Sequence, residues 1–260
     1  MDFDPMPGAR TLAKAWRGGP QLEELPSSAR PTTLPEAYAL QRSLREELGE
    51  PIVGYKLGLS SAVAMERSGL GDPVVGFVPE SRLLESGSHV EAPNAGELLI
   101  EIEIVFRLSR SVDIAAQSGD AKNGLSARLG FEIVRSRFSK GTAAGIPSFV
   151  GDASGLHALV IGDAIPLHDL PALLERGATL RREGEVLAKP LPAANRPEPF
   201  DVLRRFERLA ATYGMLVEPG MFIATGSLIA PVSLDRPGEF EAELGPHRAT
   251  VRLSKASPAT

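Results

Sequence analysis

The 260-residue sequence contains no cysteine. This absence excludes disulfide bonds, thiol nucleophiles, iron–sulfur clusters and cysteine-ligated zinc. An excess of charge of one sign is missing too, because the net charge is −5 and the pI is about 5.5. Nothing in that balance indicates nucleic acid or an anionic membrane as a partner. Hydrophobic residues make up 43% and charged residues 23%, which is typical of globular proteins.

Long apolar runs are also missing. No stretch approaches the roughly 20 apolar residues of a membrane span, and the segment MDFDPMPGARTLAKAW lacks the apolar core of a signal peptide. We therefore expect a cytoplasmic protein with no membrane partner. The nucleotide-binding patterns GxxxxGK[ST] and GxGxxG and the nucleophile elbow GxSxG are not found either, which argues against nucleotide binding and serine-hydrolase chemistry.

The pattern of apolar residues and turns predicts an α+β chain. Thr33 and Glu36 have the spacing of a capping box at the start of a helix, whereas later segments show short apolar runs punctuated by glycine and proline. There is no regular βαβ alternation and no internal repeat. We expect one compact unit, in which a helical N-terminal region, residues 1–70, packs on a β-rich body, residues 71–260.

Three local features of the body carry specific expectations. Segment 178–191, ATLRREGEVLAKPL, predicts a hairpin that turns at Glu183-Gly184. Asp201 is a good N-cap and predicts the start of a helix. Segment 113–130, DIAAQSGDAKNGLSARLG, predicts a helix followed by a loop.

The segment GELLIEIEIVFRLSR, residues 96–110, alternates strictly and predicts a β-strand with one buried face. Glu101 and Glu103 lie on the other face, roughly 6.5–7 Å apart at Cα. Spacing alone favours a wet face on which this pair arose by chance. Both residues nevertheless lie within a very apolar strand, and Glu132 is embedded in a second apolar run. Three such carboxylates would suit a hard cation, Mg²⁺ or Mn²⁺.

Other candidates are weaker. Lys56 lies in an apolar stretch between Gly54 and Gly58, where it is either an acid–base group tuned by burial or a snorkelling surface lysine. The segment TGSL, residues 225–228, follows a strand and either offers donors to an oxyanion or is a plain turn. His157 is the one histidine that we single out.

Taken in order, several motifs resemble a known family: VGYKLGLSS…GLGDPVVGFV, IEIEIVF, GFEIVRSRF, GDAS and FIATGSL…PV. Over residues 34–253 the chain resembles the 2-keto-4-pentenoate hydratase and 4-oxalocrotonate decarboxylase branch of the fumarylacetoacetate hydrolase superfamily. The resemblance implies a mixed β-roll like the C-terminal domain of that superfamily, and homo-oligomers. It also implies small 2-oxo acids from aromatic catabolism as substrates.

The resemblance further assigns roles to residues. It implies that Mg²⁺ or Mn²⁺ is held by Glu101, Glu103 and Glu132, and that Lys56 is catalytic. It implies a substrate-binding set made up of Asp152, Ser154, Thr225, Gly226 and Ser227.

The implied activity is that of a lyase. The leading prediction is a hydratase that adds water to a 2-hydroxypenta-2,4-dienoate-type substrate to give a 4-hydroxy-2-oxo acid. A 4-oxalocrotonate-type decarboxylase with the same metal site is the alternative. Val74 stands where many hydratases of this group carry aspartate, and Ala153 replaces an amide. An acylpyruvate-type carbon–carbon hydrolase and a non-catalytic ligand-binding relative are further alternatives.

Overall fold

The computed structural model describes residues 3–92, 97–109 and 124–254 of the chain. Its α-helices are α1 Met6–Trp16, α2 Leu34–Leu48, α3 Ala62–Arg67, α4 Ile146–Gly151, α5 Leu170–Arg176 and α6 Pro199–Tyr213. Its strands are β1 Ile52–Gly58, β2 Val74–Pro79, β3 Leu83–Glu85, β4 His89–Glu91, β5 Leu99–Leu108, β6 Leu125–Val134, β7 Leu156–Ile165, β8 Thr179–Arg182, β9 Glu185–Ala188, β10 Phe222–Ser227, β11 Val232–Ser233, β12 Gly238–Leu244 and β13 His247–Ser254.

A large mixed sheet carries the candidate site. Its strand order within the described residues is β2-β1-β10-β5-β6-β7-β3, and β11 also pairs with β5. The β1–β10 pair is parallel, whereas β10, β5, β6 and β7 are successively antiparallel. The predicted α+β class is therefore confirmed, and the predicted alternating strand is β5 near the middle of this sheet.

The expectation that β5 buries only one face is wrong. Ile102 and Ile104 are buried as the alternation predicts, but Glu103 and Val105, on the opposite face, are also 0% exposed. Glu103 therefore does not lie on a wet surface, whereas Glu101 is half-buried.

A second sheet has the order β4-β13-β12-β8-β9. The β8–β9 hairpin turns at Glu183 and Gly184, as predicted, with φ values of +48° and +84°. Two successive positive φ values are typical of a type I′ turn. The helix and loop predicted for segment 113–130 are wrong over residues 125–130, which belong to β6. Residues 113–123 of that segment lie outside the described part of the chain.

Helices α1 and α2 pack together, and Tyr38 and Gln41 of α2 form hydrogen bonds with the backbone of Val75 in β2 of the large sheet. The capping box of α2 is confirmed, because the Glu36 N–H donates to Thr33 Oγ1 and the Glu36 carboxylate accepts from the Thr33 N–H. The N-cap of α6 is Glu198 rather than Asp201: its carboxylate accepts from the backbone N–H of Asp201 at 2.6 Å. A glutamate is not among the preferred N-cap residues, which explains why the sequence pointed to Asp201.

Residues 1–70 also contribute a strand. Strand β1 pairs with β10 on one side and with β2 on the other, inside the large sheet. The boundary between residues 70 and 71 stays a prediction. Within the described residues, no helix is long and apolar enough to cross a membrane.

Candidate metal centre and its cavity

Three glutamates converge at the centre of the large sheet. Glu101 on β5 lies directly opposite Glu132 on β6, and Glu103 is two residues further along β5. One carboxylate oxygen from each side chain lies within 4.8 Å of those from the other two. Glu103 and Glu132 are 0% exposed, whereas Glu101 faces the cavity described below. The structure thus brings together the three residues that the sequence singled out.

Lys56 joins this cluster from β1. Its Nζ lies 2.8 Å from Glu132 Oε1, and both side chains are at most 3% exposed. In a flat sheet, β1 and β6 would be three strand spacings apart, or about 14 Å. The curl of the sheet brings the two residues into contact. Lys56 is therefore a buried ion-pair partner, and the alternative of a snorkelling lysine is wrong.

The cluster holds three carboxylates against one ammonium, and this imbalance shifts their pKa values. Burial, followed by the charge of Glu132, raises the pKa of Glu101 to about 7, against the opposing effect of Lys56. Burial and the two neighbouring carboxylates likewise raise the pKa of Glu103 well above its usual value. Burial alone would lower the pKa of Lys56, but Glu132 and Glu101 outweigh it and the pKa is raised.

The donor set fits a divalent cation. Glu103 Oε1 and Glu132 Oε2 are buried and have no hydrogen-bond partner among the described residues. Buried carboxylate oxygens without partners are costly, and a bound cation would satisfy them. Carboxylate oxygens are the ligands preferred by Mg²⁺ and Mn²⁺.

We expect cation affinity to rise with pH. Protons compete with the cation for Glu101 and Glu103 because the pKa of each is raised. Affinity should increase up to about tenfold per pH unit for each proton displaced between about pH 6 and 7. Titration calorimetry in buffers of different ionisation enthalpy measures the proton release, and pH-independent binding would contradict the expectation.

The same shifts predict how the metal-free protein responds to pH. A carboxyl group whose pKa is raised on folding binds more protons in the folded state, so the free energy of unfolding falls as pH rises from its unfolded pKa to its folded pKa. For Glu101 this window runs from about 4.5 to about 7. Saturating cation should remove this loss.

Strand β10 holds Glu103 through a β-bulge. Ala224 pairs with Val105, and Ser227 pairs with Glu103. Two residues of β10, Thr225 and Gly226, therefore lie opposite the single residue Ile104 of β5, which is a β-bulge. The Gly226 N–H donates to Glu103 Oε2 at 2.8 Å. Gly226 has φ +104°, a region that favours glycine.

We expect Gly226→Ala to be strongly destabilising. A Cβ at this position would lie 1.8 Å from Ser60 Oγ, and the φ of +104° would strain any larger residue. The free energy of unfolding should fall by at least ~2 kcal/mol, as chemical denaturation would measure. Gly71→Ala is the matched control, because nothing lies within 4 Å of its added Cβ. Equal losses in the two variants would contradict this explanation.

A cavity of about 520 Å³ opens onto the cluster. Lys56, Glu101, Gly226 and Ser227 line it. The sequence did not reveal its other walls, which include Leu59, Ser60, Phe149 and the polar segment 139–142. The one available signal was that Leu59 and Ser60 belong to the quoted motif VGYKLGLSS. The motif by itself assigns no role to either residue.

The remaining predicted site residues lie elsewhere or are engaged differently. Asp152 is fully buried and accepts hydrogen bonds from Trp16 Nε1, Ser136 Oγ and the Arg137 N–H. Ser154 Oγ donates to the Val75 carbonyl oxygen. Neither residue is among those that line the cavity. These contacts are structural, and direct contact of Asp152 and Ser154 with substrate stays a prediction.

The hydroxyl groups of the TGSL segment also have backbone partners. Thr225 Oγ1 donates to the Ile104 carbonyl oxygen at 2.9 Å and does not reach the cavity. Ser227 Oγ donates to the Ile229 carbonyl oxygen at 2.8 Å, although Ser227 lines the cavity. His157 lies on β7 away from the cavity, and burial with nearby arginines lowers its pKa to about 3.

Comparisons with known proteins agree with the geometry. No family model matches the chain. The 4-oxalocrotonate decarboxylase of Pseudomonas putida is 28% identical over 212 residues, 80% of each chain. The 2-keto-4-pentenoate hydratase of Burkholderia vietnamiensis is 26% identical over 224 residues, 82% of this chain and 84% of that one. Both relatives are lyases.

Solved structures share the fold. The 4-oxalocrotonate decarboxylase of Pseudomonas putida G7, complexed with magnesium and adipate, superposes with a TM-score of 0.81 at 21% identity, covering 96% of this chain and 97% of that one. A fumarylacetoacetate hydrolase family protein of Yersinia pestis has a TM-score of 0.57 at 15% identity, covering 79% and 94%. The predicted resemblance to 2-keto-4-pentenoate hydratases and 4-oxalocrotonate decarboxylases is thereby confirmed, and the fold is the one that a fumarylacetoacetate hydrolase family protein also has.

Proposed function

We propose that the protein is a divalent-metal-dependent lyase of small 2-oxo acids, with hydration of a 2-hydroxypenta-2,4-dienoate-type substrate as its leading activity. The observation that carries the proposal is the buried cluster of Glu101, Glu103 and Glu132, with Lys56 beside it, at the cavity wall. The names of the relatives support the lyase class.

The proposed cofactor is Mg²⁺ or Mn²⁺, held by the three glutamates. The magnesium in the complex of the solved decarboxylase supports a divalent cation. When bound, such a cation supplies a Lewis acid that polarises a 2-oxo group and stabilises negative charge developing on its oxygen. The chain itself contributes the anionic cradle, the burial that strengthens its field, and the neighbouring ammonium of Lys56.

Lys56 is the proposed proton carrier. Its raised pKa keeps it protonated at neutral pH, so it begins as a proton donor rather than as a base. Nζ lies 2.8 Å from Glu132 Oε1, and Lys56 is one of the residues that line the cavity, so Lys56 can pass a proton between the cluster and a substrate bound there. Hydration requires a proton at carbon and the activation of water, and a positioned acid–base group serves such transfers.

The titratable residues of the cavity wall argue against the acylpyruvate hydrolase alternative. Among the described residues that line the cavity, the titratable side chains are Lys56, Glu97, Glu101 and Lys140. None of these lining residues is a histidine, whereas an acylpyruvate hydrolase would need a histidine base near the metal. The acylpyruvate hydrolase is therefore a less favoured activity than the two lyase activities.

Decarboxylation is the second candidate, and two observations favour it. Val74 is 0% exposed in β2, and its neighbour Asp72 points to α6, where it pairs with Arg205 at 3.0 Å. Neither residue supplies an acid–base group to the cavity. Lys140 adds a positive charge at the cavity wall. The second carboxylate of 4-oxalocrotonate would pair with this charge, whereas 2-hydroxypenta-2,4-dienoate has no second carboxylate.

A parallel assay tests the proposal. Purified protein with Mg²⁺ or Mn²⁺ is incubated with 2-hydroxypenta-2,4-dienoate and with 4-oxalocrotonate, and ultraviolet absorbance and CO₂ release are followed. Loss of the dienoate signal supports the hydratase, and CO₂ release from the second substrate supports the decarboxylase. Inactivity with both substrates, with cation binding retained, would favour the non-catalytic ligand-binding relative.

A cytoplasmic location and a homo-oligomeric assembly stay predictions.

A further inference from the structure

One peptide group connects Ser60 to the candidate ligand Glu103. The group is the amide between Thr225 and Gly226 in the bulge of β10. Its carbonyl oxygen accepts from Ser60 Oγ at 2.9 Å, and its N–H donates to Glu103 Oε2 at 2.8 Å. A hydroxyl group, an amide and a carboxylate therefore form a continuous hydrogen-bonded chain.

The backbone around Ser60 is built for this contact. Leu59, the residue before it, has φ +53°, a conformation that is rare and costly for a leucine. It lies directly after β1, and the next residue, Ser60, is only 7% exposed. Ser60 Oγ occupies the space that a side chain on Gly226 would need. The strained turn and the missing side chain together allow the serine to reach the bulge.

The chain of hydrogen bonds has a direct consequence for Glu103. Hydrogen bonds in series polarise one another, and the effect is strongest at a buried site. The hydrogen bond donated by Ser60 strengthens the hydrogen bond that the Gly226 N–H donates to Glu103 Oε2. The stronger hydrogen bond fixes the Glu103 carboxylate in one orientation. The other oxygen of the Glu103 carboxylate, Oε1, is buried without a hydrogen-bond partner among the described residues. Oε1 is therefore available to a cation held by the three glutamates.

We propose that Ser60 is a positioning residue for Glu103, which it orients through the Thr225–Gly226 peptide so that Oε1 is presented to a divalent cation. The inference rests on the proposed function, because it takes the three glutamates as the cation site. Lys56 forms an ion pair with Glu132. The single segment 56–60 would then orient two of the three carboxylates, Glu132 directly and Glu103 through the peptide. Partners beyond the direct ligands orient metal sites in this way, and removing them typically lowers metal affinity 10–100-fold.

The test compares two adjacent serines. Ser60→Ala removes the donor to the peptide, whereas Ser61→Ala removes a hydroxyl group that accepts from the Ala64 N–H at the start of α3. Ser61 is 8% exposed, so the two sites are similarly buried. Ser60→Cys keeps the overall shape with a slightly larger atom, but its thiol donates weakly. Mn²⁺ affinity is measured by calorimetry or electron paramagnetic resonance, and thermal midpoints are measured without metal.

We expect Ser60→Ala and Ser60→Cys to bind Mn²⁺ at least tenfold more weakly than the wild type, and Ser61→Ala to bind it like the wild type while losing stability. Wild-type affinity in a folded Ser60→Ala or Ser60→Cys protein would overturn the role of Ser60 and leave the proposed function intact. An equal loss in Ser61→Ala would also overturn it, because the effect would then be one of general stability. A wild-type protein that binds no Mn²⁺ would instead reject the proposed function itself.

Discussion

Replacing Glu103 by glutamine is expected to abolish turnover and cation binding while stabilising the metal-free protein. Glutamine keeps the shape and can still accept from the Gly226 N–H, but it removes one of three buried negative charges. Turnover should fall by ~1000-fold or more, the loss that follows when about 4 kcal/mol of electrostatic stabilisation is removed. The thermal midpoint of the metal-free protein should rise, because burial and two neighbouring carboxylates already hold the Glu103 pKa well above its usual value.

These opposite signs are the useful part of the experiment. A merely structural glutamate would lose stability and activity together, whereas a cation ligand loses activity and gains stability without metal. Glu91→Gln is the matched control, because Glu91 is an exposed strand glutamate on β4. It should behave like the wild type in both measurements. Unchanged turnover or Mn²⁺ affinity in Glu103→Gln would reject the metal-site assignment.

Replacing Lys56 by methionine is expected to depress turnover by about 100- to 1000-fold and to spare cation binding. Methionine fills much of the same space but carries no proton, and a positioned acid–base group contributes in this range. Without the ammonium, Glu132 Oε1 loses its partner at 2.8 Å. The metal-free protein should therefore be less stable than the wild type, whereas a bound cation should recover most of that stability.

Steady-state rates, Mn²⁺ affinity and thermal midpoints with and without metal check this expectation. Lys14→Met is the control, because Lys14 is exposed on α1 and should leave all three unchanged. Near-normal turnover in Lys56→Met would remove Lys56 from the mechanism. Loss of cation binding together with turnover would show that Lys56 supports the site rather than the proton transfer.

Local patterns were sufficient for part of the secondary structure. The capping box of Thr33 and Glu36 and the hairpin turn at Glu183 and Gly184 are confirmed, since each depends on contacts within a few residues. The start of α6 was predicted at Asp201, which is wrong. Glu198 is an unusual N-cap, and its carboxylate accepts a hydrogen bond from the Asp201 N–H. The burial of both faces of β5 was missed because alternation reports only which residues share a face, not what covers that face.

The sequence by itself determined that Glu101 and Glu103 share one face of a strand, because side chains two residues apart on a strand point the same way. It also determined, through ordered motifs, the resemblance that the comparisons confirm. Only the tertiary structure decided that Lys56 meets Glu132, that Ser60 reaches the peptide before Gly226, and that Asp152 accepts a hydrogen bond from Trp16. These contacts join residues that are 76 or more positions apart or depend on how the sheet curls, and no local periodicity records the path of the chain between them.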